Sequence, residues 1–498
     1  MAATDDSDAG VPALNRWDEC VSEWLVPEHG GRVRVVFETG LAPLPPALLD
    51  LGAELVAVPA IPPGAWEAGE PDAEPPAATL ERLLYFGAAH ARDMLVLFGR
   101  AYRELNGAGR LLLLDYFCRR RGEPGDGHLS VDQLQSLASR AGFVVEAELP
   151  VSLPWPPRGG GAACVPRGLL VAFRRVPAVR RWRVTWQEPH RLAEVRALFA
   201  RVFGHAMSEA LWRWKYGGGR GQGALAIRDG EVVGHYGVLT RSVRYLGRPE
   251  RAAQVADVMV EPGDRGVLTR RGAFFLTAAS MPEACCGYGS KHLIGFGFPN
   301  HRAFRVAERL GLYASVDRIT ELSWPAVTGE RARWAFEDLA QRSAAQASRL
   351  VDRLWTAMAG ALGEAIVGVR DYAWVRYRYL RHPEHDYRVL VIRTPTWRRA
   401  LGVIVLRLHD DRAELMDVIA PPARLESLVA AAREAAGRAA RSQLFCWASS
   451  RCASYLDTNG ASETDPDVCI PTSIHTAGPS PAEITGRWWL MSGDTDFR

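Results

Sequence analysis

The sequence predicts a mixed α/β and α+β protein, in which a parallel-sheet unit is followed by two mixed-sheet units that resemble each other. Two observations carry that expectation. Between Gly30 and Pro150, apolar β-branched runs alternate with stretches of helical spacing, the pattern of a parallel sheet covered by helices. Further along, landmarks recur in the same order: "WRWKY" at Trp212 to Tyr216 is echoed by "WVRYRY" at Trp374 to Tyr379, and "ADVMVEP" at Ala256 to Pro262 by "MDVIAPP" at Met416 to Pro422. Asp257 and Asp417 occupy equivalent places, so the two stretches read as one duplicated unit.

Taken in order, residues 1–29 read as an N-terminal tail that opens on the acidic, polar "MAATDDSDAG", and residues 30–176 as the parallel α/β unit. There "VRVVFETG", "AELVAVPA" and "LLLLDYF" read as buried strands, while "HARDMLVLFGRAYREL" places Met94, Leu95, Leu97, Phe98, Ala101 and Leu105 at helical spacing. The proline-rich "PAIPPGAWEAGEPDAEPPAA" is a connection, and "LLVAFRRV" returns as a strand after the break at Pro154 to Gly168. Residues 181–328 hold a helix in "HRLAEVRALFARVF", paired strands turning at Asp229 and Gly230, and a second helix from Arg302 to Leu310. A helical connector over 329–364 leads to the second mixed-sheet unit at 365–498, which closes on "GRWWLMSGDTDF", an ordered strand and tail.

Composition narrows the function classes. A chain of 498 residues exceeds one ordinary core and suggests about three domains. Hydrophobic residues make up 48% and charged residues 23%, the balance of a globular protein. The net charge of +3 and the absence of a basic block beyond Arg119 to Arg121 argue against a nucleic-acid partner. Lys215 and Lys291 are the only lysines, an arginine bias that reads as genome composition. The start "MAATDDSDAG" lacks the features of a signal peptide, and no apolar run approaches the ~18 residues of a membrane span, so a cytoplasmic location is expected. Cysteines 20, 118, 164, 285, 286, 446, 452 and 469 show no C-x-x-C spacing, which predicts neither a metal site nor a disulfide framework.

The stretch "ADVMVEPGDRGVLTRRGAFF" asks why a strand should pass into a helix through bare backbone and three arginines, Arg265, Arg270 and Arg271. Helix N-termini present unpaired N–H groups and a positive dipole end, so this is a place where a phosphate can sit; the alternative is a plain turn with solvated arginines.

With that stretch in hand, the central unit resembles the GNAT acyltransferase superfamily in a tandem arrangement. "DVMVEPGDRGVLTRRG" is similar to the family's splayed strand, pyrophosphate loop and helix, and "GFPNHRAFRVAERLGLY" to its next segment, with Asn300, Ala303, Leu310 and Gly311 at the family's positions. The resemblance implies that Met259 and Val260 of the strand, the loop Arg265, Gly266, Val267, Leu268, Thr269 and Arg270, and Asn300 and Ala303 hold acetyl-CoA or another acyl-CoA as co-substrate. Leu268 stands where a second glycine is common. The family's thiolate-protonating tyrosine aligns near Ala307, with Tyr313 the nearest tyrosine.

Acyl transfer to an amine needs a base for the ammonium and donors for the tetrahedral oxyanion. Backbone amides at Met259 or Val260 are the candidate donors. Asp257 and Glu261 on the key strand and His235 on the preceding one are the candidate bases, with strand alternation placing Asp257, Met259 and Glu261 on one face. Against this, Asp417 in the second copy favours a structural role for Asp257, His235 reads equally as a satisfied strand histidine, and Trp212, Trp214 and Tyr216 as core. The second copy has "PPARLESL" where the loop would be, so no CoA is expected there; its expected role is to complete the acceptor cleft.

The N-terminal unit resembles a class I S-adenosylmethionine methyltransferase of Rossmann-like fold, most clearly in "AYRELNGAGRLLLLDYF" and "LQSLASRAGFVVEAELP". Its glycine turn keeps only Gly40 after Glu38 and Thr39, and the second strand ends at Pro59 where an acid would hold the ribose. A degenerate domain that binds no S-adenosylmethionine, retained as a scaffold or for a protein partner, is expected. The whole therefore reads as an N-acyltransferase acting on a primary amine of a small molecule or sugar. Its rivals are a bifunctional enzyme that also methylates and a non-catalytic GNAT-like scaffold.

Overall fold

The computed structural model describes residues 15–27, 31–38, 52–58, 80–87, 94–117, 130–153, 155, 167–176, 181–328, 333–394, 399–456 and 460–497. The turn residues Thr39 and Gly40, the whole proline-rich connection with Pro59, and Arg119 to Arg121 lie outside them. The chain divides into two compact units, one comprising Met1–Leu192, Ala224–Val232 and Glu283–Lys291, the other Ala193–Gly223, Val233–Pro282 and His292–Arg498.

In the first unit the elements are β1 (Asn15–Arg16), α1 (Trp17–Leu25), β2 (Arg32–Glu38), β3 (Glu54–Val58), β4 (Leu80–Phe86), α2 (Met94–Glu104), β5 (Leu105–Phe117), α3 (Val131–Ala141), β6 (Phe143–Ser152) and β7 (Arg167–Arg175). They build one sheet of order β1-β6-β7-β5-β4-β2-β3. Strands β3, β2, β4 and β5 run parallel, and β7 is antiparallel to both its neighbours. Central strand β4 is absent from the sequence-based reading. It is buried along its whole length, yet Glu81 and Arg82 interrupt its apolar pattern. These two side chains pair at 3.3 Å, and the Arg82 Nε donates to the Trp24 carbonyl at 3.3 Å, so the buried charges are compensated. Helix α3 starts where a sequence would place it, with Ser130 and Gln133 forming a reciprocal cap, and ends at Gly142, whose φ of 97° favours glycine. A further strand, β8 (Arg183–Trp186), pairs with Ala224–Ile227 of β9 (Gly221–Arg228).

The second unit begins with α4 (Leu192–Phe203) and α5 (Glu209–Tyr216). Strands β10 (Glu231–Tyr245) and β11 (Arg248–Val260) form a long hairpin, closed by Leu246 and Gly247 at φ 49° and 82°, the left-handed pair that two-residue hairpin turns require. Then follow α6 (Ala273–Cys285), β12 (Ile294–Phe296), α7 (His301–Arg309), β13 (Tyr313–Pro325), β14 (Ala335–Asp338), α8 (Ala344–Ala361), β15 (Ile366–Gly368) and α9 (Tyr372–Val375). The remaining α-helices and β-strands are β16 (Arg388–Arg393), β17 (Ala400–Leu408), β18 (Arg412–Ile419), α10 (Leu425–Arg438), β19 (Gln443–Ser449), α11 (Ser450–Leu456), β20 (Ser462–Thr464), β21 (Cys469–Ser473), α12 (Pro481–Ile484) and β22 (Trp488–Trp489). One sheet runs β12-β11-β10-β15-β22 and another β14-β16-β17-β18-β19-β13-β20, with β21 also on β13. Trp324, Trp488 and Trp489 are fully buried, which fixes the chain's end against the core. No helix among the described residues is long and apolar enough to cross a membrane.

Candidate functional site

Two irregularities in the β10–β11–β12 region create the site. Strand β11 pairs in parallel with β12 only through Ala252–Gln254, opposite Ile294–Phe296, so beyond Gln254 that edge of β11 has no β12 partner. On its other edge, the register with β10 steps from His235↔Met259 to Gly237↔Ala256, leaving Asp257 and Val258 opposite the single residue Tyr236. This is a β-bulge, and Asp257 sits in it at φ 48°, a left-handed conformation that a short polar side chain tolerates. The expected alternation of Asp257, Met259 and Glu261 is therefore interrupted, because Ala256 and Met259, three residues apart, both face β10 partners on the same side.

The bulge aims the Asp257 carboxylate at the end of α5. Lys215 Nζ donates to Asp257 Oδ1 at 2.8 Å and to Asp496 Oδ2 at 3.0 Å, and the Tyr216 hydroxyl donates to Asp257 Oδ2 at 2.6 Å. Gly237 makes room for this: a Cβ there would lie 2.2 Å from the Tyr216 hydroxyl. All three charged side chains are under a tenth exposed. Burial alone would raise the Asp257 carboxyl, but Lys215, with the Tyr216 hydroxyl, holds it below the usual carboxylate value. Burial also opposes the Lys215 charge, and the two carboxylates outweigh it and raise that ammonium above its ordinary value. Burial raises the Asp496 carboxyl above the usual range against the pull of Lys215, with the Asp257 charge adding to the rise.

Around this group lies a cavity of about 670 Å³. One wall is the strand gap: Val255 to Val258, Gly297 to Pro299, Ala303 and Phe274, the last in the first turn of α6. The other wall takes Phe199, Phe203, Met207 and Leu211 from the α4–α5 region and Glu384, His385, Arg407, Asp496 and Phe497 from later in the chain. Tyr313, at the start of β13, also lines it, and its hydroxyl is hydrogen-bonded to that of Tyr236. Lys215 and Asp496 additionally line a second cavity of about 300 Å³, together with Trp214, Arg241, Trp374 and Asp494.

The residues singled out from the sequence divide accordingly. Asp257, Ala303 and Tyr313 line the large cavity. His235 is fully buried, its ring 5.9 Å from those of both Trp212 and Tyr216 and its Nδ1 2.6 Å from the Asp257 carbonyl; burial lowers it and favours the neutral ring. Glu261 lies outside the lining and accepts from Arg201 at 2.8 Å. Met259 is buried in the β10–β11 ladder. The Val260 carbonyl accepts from Arg265 Nε at 2.8 Å. The loop after Arg265 is folded tightly, since a Cβ on Gly272 would stand 1.9 Å from the Val267 carbonyl oxygen. Gly266, Val267, Leu268, Thr269 and Arg270 are at least partly exposed there, Leu268 at 60%, and the Arg270 guanidinium lies 5.9 Å from the Phe275 ring centroid. Asn300 is the N-cap of α7, its Oδ1 accepting from the Ala303 amide at 2.8 Å.

Sequence reasoning missed Lys215 and Asp496. Lys215 had one signal, being one of only two lysines. Asp496 had none.

Asp417, in the later strands, has a similar but buried set of partners. Asp417 accepts from Arg370 Nε at 2.7 Å and from the Tyr379 hydroxyl at 2.9 Å, and Arg370 also donates to Asp494. Arg370 and Asp417 are fully buried, and neither lines a cavity described above.

Residues 187–275, which span α4 to the start of α6, match the acetyltransferase (GNAT) domain family. No curated protein sequence matches the chain. Among solved structures, a conserved protein from Enterococcus faecalis described as a probable N-acyltransferase is similar at 14% identity, covering 58% of this chain and 71% of its own, with a TM-score of 0.45. A GCN5-related N-acetyltransferase from Kribbella flavida is similar at 18% identity over 59% of this chain and 71% of its own, with a TM-score of 0.42. Another from Anabaena variabilis is similar at 14% identity over 58% and 72%, with a TM-score of 0.43. The chain thus carries a GNAT acetyltransferase domain in residues 187–275, and the enzyme class that goes with that domain is N-acetyltransferase.

Proposed function

We propose that the protein transfers an acyl group, acetyl from acetyl-CoA, to the primary amine of a small molecule bound in the 670 Å³ cavity. The observation that carries this reading is the gap where β11 leaves β12 beside a buried Lys215–Asp496 pair, because it offers bare strand backbone and an ionisable carboxyl in one pocket. The acyl-CoA arm lies along Val255 to Val258, and its pyrophosphate meets the first turn of α6, whose leading amides have no intrahelical acceptor. Arg265 and Arg270 add positive charge on the same loop.

In this reading Asp496 takes the proton of the substrate ammonium, since burial has raised its carboxyl towards the working range of a base. The freed amine attacks the thioester carbonyl, forming the C–N bond. Backbone amides of β11 between Val258 and Val260 receive the oxyanion. As the C–S bond breaks, the thiolate takes a proton from the Tyr313 hydroxyl, the proton the nitrogen loses as the amide forms restores that hydroxyl, and Asp496 releases the first proton to solvent. Asp257 serves as a positioning residue that fixes Lys215 and Tyr216.

The later strands are inferred to be a second copy without a CoA site, supported by the matching environments of Asp257 and Asp417. The N-terminal sheet is inferred to be a methyltransferase-like scaffold without S-adenosylmethionine, supported by its parallel β3-β2-β4-β5 core. The test of the main reading is thiol release from acetyl-CoA on addition of a primary amine, alongside thermal unfolding with each cofactor. A raised midpoint with acetyl-CoA, none with S-adenosylmethionine, and amine-dependent thiol release are expected. Absence of any acetyl-CoA effect would sink it.

A further inference from the structure

Aromatic and aliphatic side chains make up much of the cavity lining. Phe199 and Phe203 meet as a tilted pair at 4.6 Å between ring centroids, and Met207, Leu211 and Phe497 add to the apolar surface. Phe203 is 45% and Phe497 54% exposed, large aromatics left in water at the edge of a pocket. Exposed apolar area of this kind, rimmed by polar groups, marks a ligand surface.

Several polar side chains of the lining already have partners. Glu384 accepts from the Ser208 hydroxyl, Arg407 Nη2 lies 3.5 Å from His385 Nδ1, and Asp496 accepts from Lys215. A polyhydroxylated body placed here would give up water and meet ring carbons, leaving hydroxyls without partners. An aromatic body would bury apolar surface on both sides, while its ammonium pairs with Asp496.

Resting on the acyltransferase reading, we infer that the acceptor is a primary amine carried on an apolar, aromatic body, and not an amino sugar. Phe203 and Phe497 select it, and Asp496 receives its ammonium.

The experiment compares 2-phenylethylamine with glucosamine on the full-length protein, following thiol release from acetyl-CoA and, separately, calorimetric binding of each amine. A kcat/KM at least about 100-fold higher for 2-phenylethylamine is expected, a discrimination within reach of an apolar pocket. Phe203→Ser and Phe497→Ser, both at exposed positions, should raise the KM for 2-phenylethylamine about tenfold, change kcat less than twofold and leave acetyl-CoA affinity intact. Equal or better use of glucosamine, with acetyl-CoA bound normally, would overturn the inference and spare the acyltransferase reading. If acetyl-CoA does not bind, that reading fails by itself, and calorimetry still decides the pocket: tighter binding of 2-phenylethylamine upholds its apolar preference, and tighter or equal binding of glucosamine ends it.

Discussion

Lys215 and Asp496, 281 residues apart in sequence, meet at 3.0 Å between Nζ and Oδ2. The contact brings the last described segment of the chain to the bulge of β11. It gives one buried ammonium two carboxylates, of which Asp257 is held low and Asp496 is raised. In the proposed mechanism that difference gives them separate work: the low one holds the lysine, and the high one exchanges a proton.

Asp496→Asn should lower kcat/KM for the amine about 100-fold, the usual range for loss of a general base. Acetyl-CoA affinity should be unchanged. In the parent protein kcat/KM should fall as pH drops through the Asp496 value, which lies above the ordinary 3.8, and the variant should lose that acid limb. A pH–rate profile of both proteins checks it. An unchanged acid limb would remove Asp496 from the mechanism.

Asp257→Asn should cost about 3 kcal/mol of stability, because it takes one partner from a buried ion pair. The sign of the pH effect follows from its lowered carboxyl. The stabilisation is full above the ordinary value of 3.8 and is lost as pH falls through the lower folded value, so the parent and the variant should converge in strongly acid solution. Denaturant unfolding at neutral pH and at successively lower pH measures this.

Gly237→Ala should destabilise by about 1–3 kcal/mol through overpacking. The added methyl would lie 2.2 Å from the Tyr216 hydroxyl and 2.7 Å from the Ala256 carbonyl oxygen, so it should also break the Tyr216–Asp257 bond. Thermal unfolding and near-ultraviolet spectra of the tyrosine and tryptophan environment report both effects. A variant as stable as the parent would mean the bulge is packed differently.

Arg265→Glu should weaken CoA about tenfold by charge reversal at the loop. The loss should shrink at high salt, since the side chain is solvent-exposed and its field is screened. Calorimetric titration of CoA at two ionic strengths tests it, and identical affinity would place the pyrophosphate elsewhere.

How far the sequence could be read depended on whether a feature is local. Helix α2 was legible because its apolar residues recur at helical spacing, and β5 because "LLLLDYF" is an unbroken buried run. The strand–turn–helix from Ala256 to Phe275 was legible for the same reason, as were the hairpin strands around it. Strand β4 was not, because a Glu81–Arg82 pair compensated in space looks like surface polarity in one dimension. Asn300 stood out by position, but only the fold makes its side chain a helix cap.

By itself, the sequence determined many of the strand and helix segments and where a strand hands over to a helix beside arginines. Those choices follow from periodicity and turn chemistry over a few residues. Tertiary structure alone decided that Asp257 occupies a bulge, that Lys215 and Asp496 converge on it, and that Phe203 and Phe497 share one wall. Each depends on residues tens to hundreds of positions apart, brought together because burying Trp488 and Trp489 leads the end of the chain back to the core. A charge pair across 281 residues leaves no local pattern, since only the folded chain sets its distance and its dielectric surroundings.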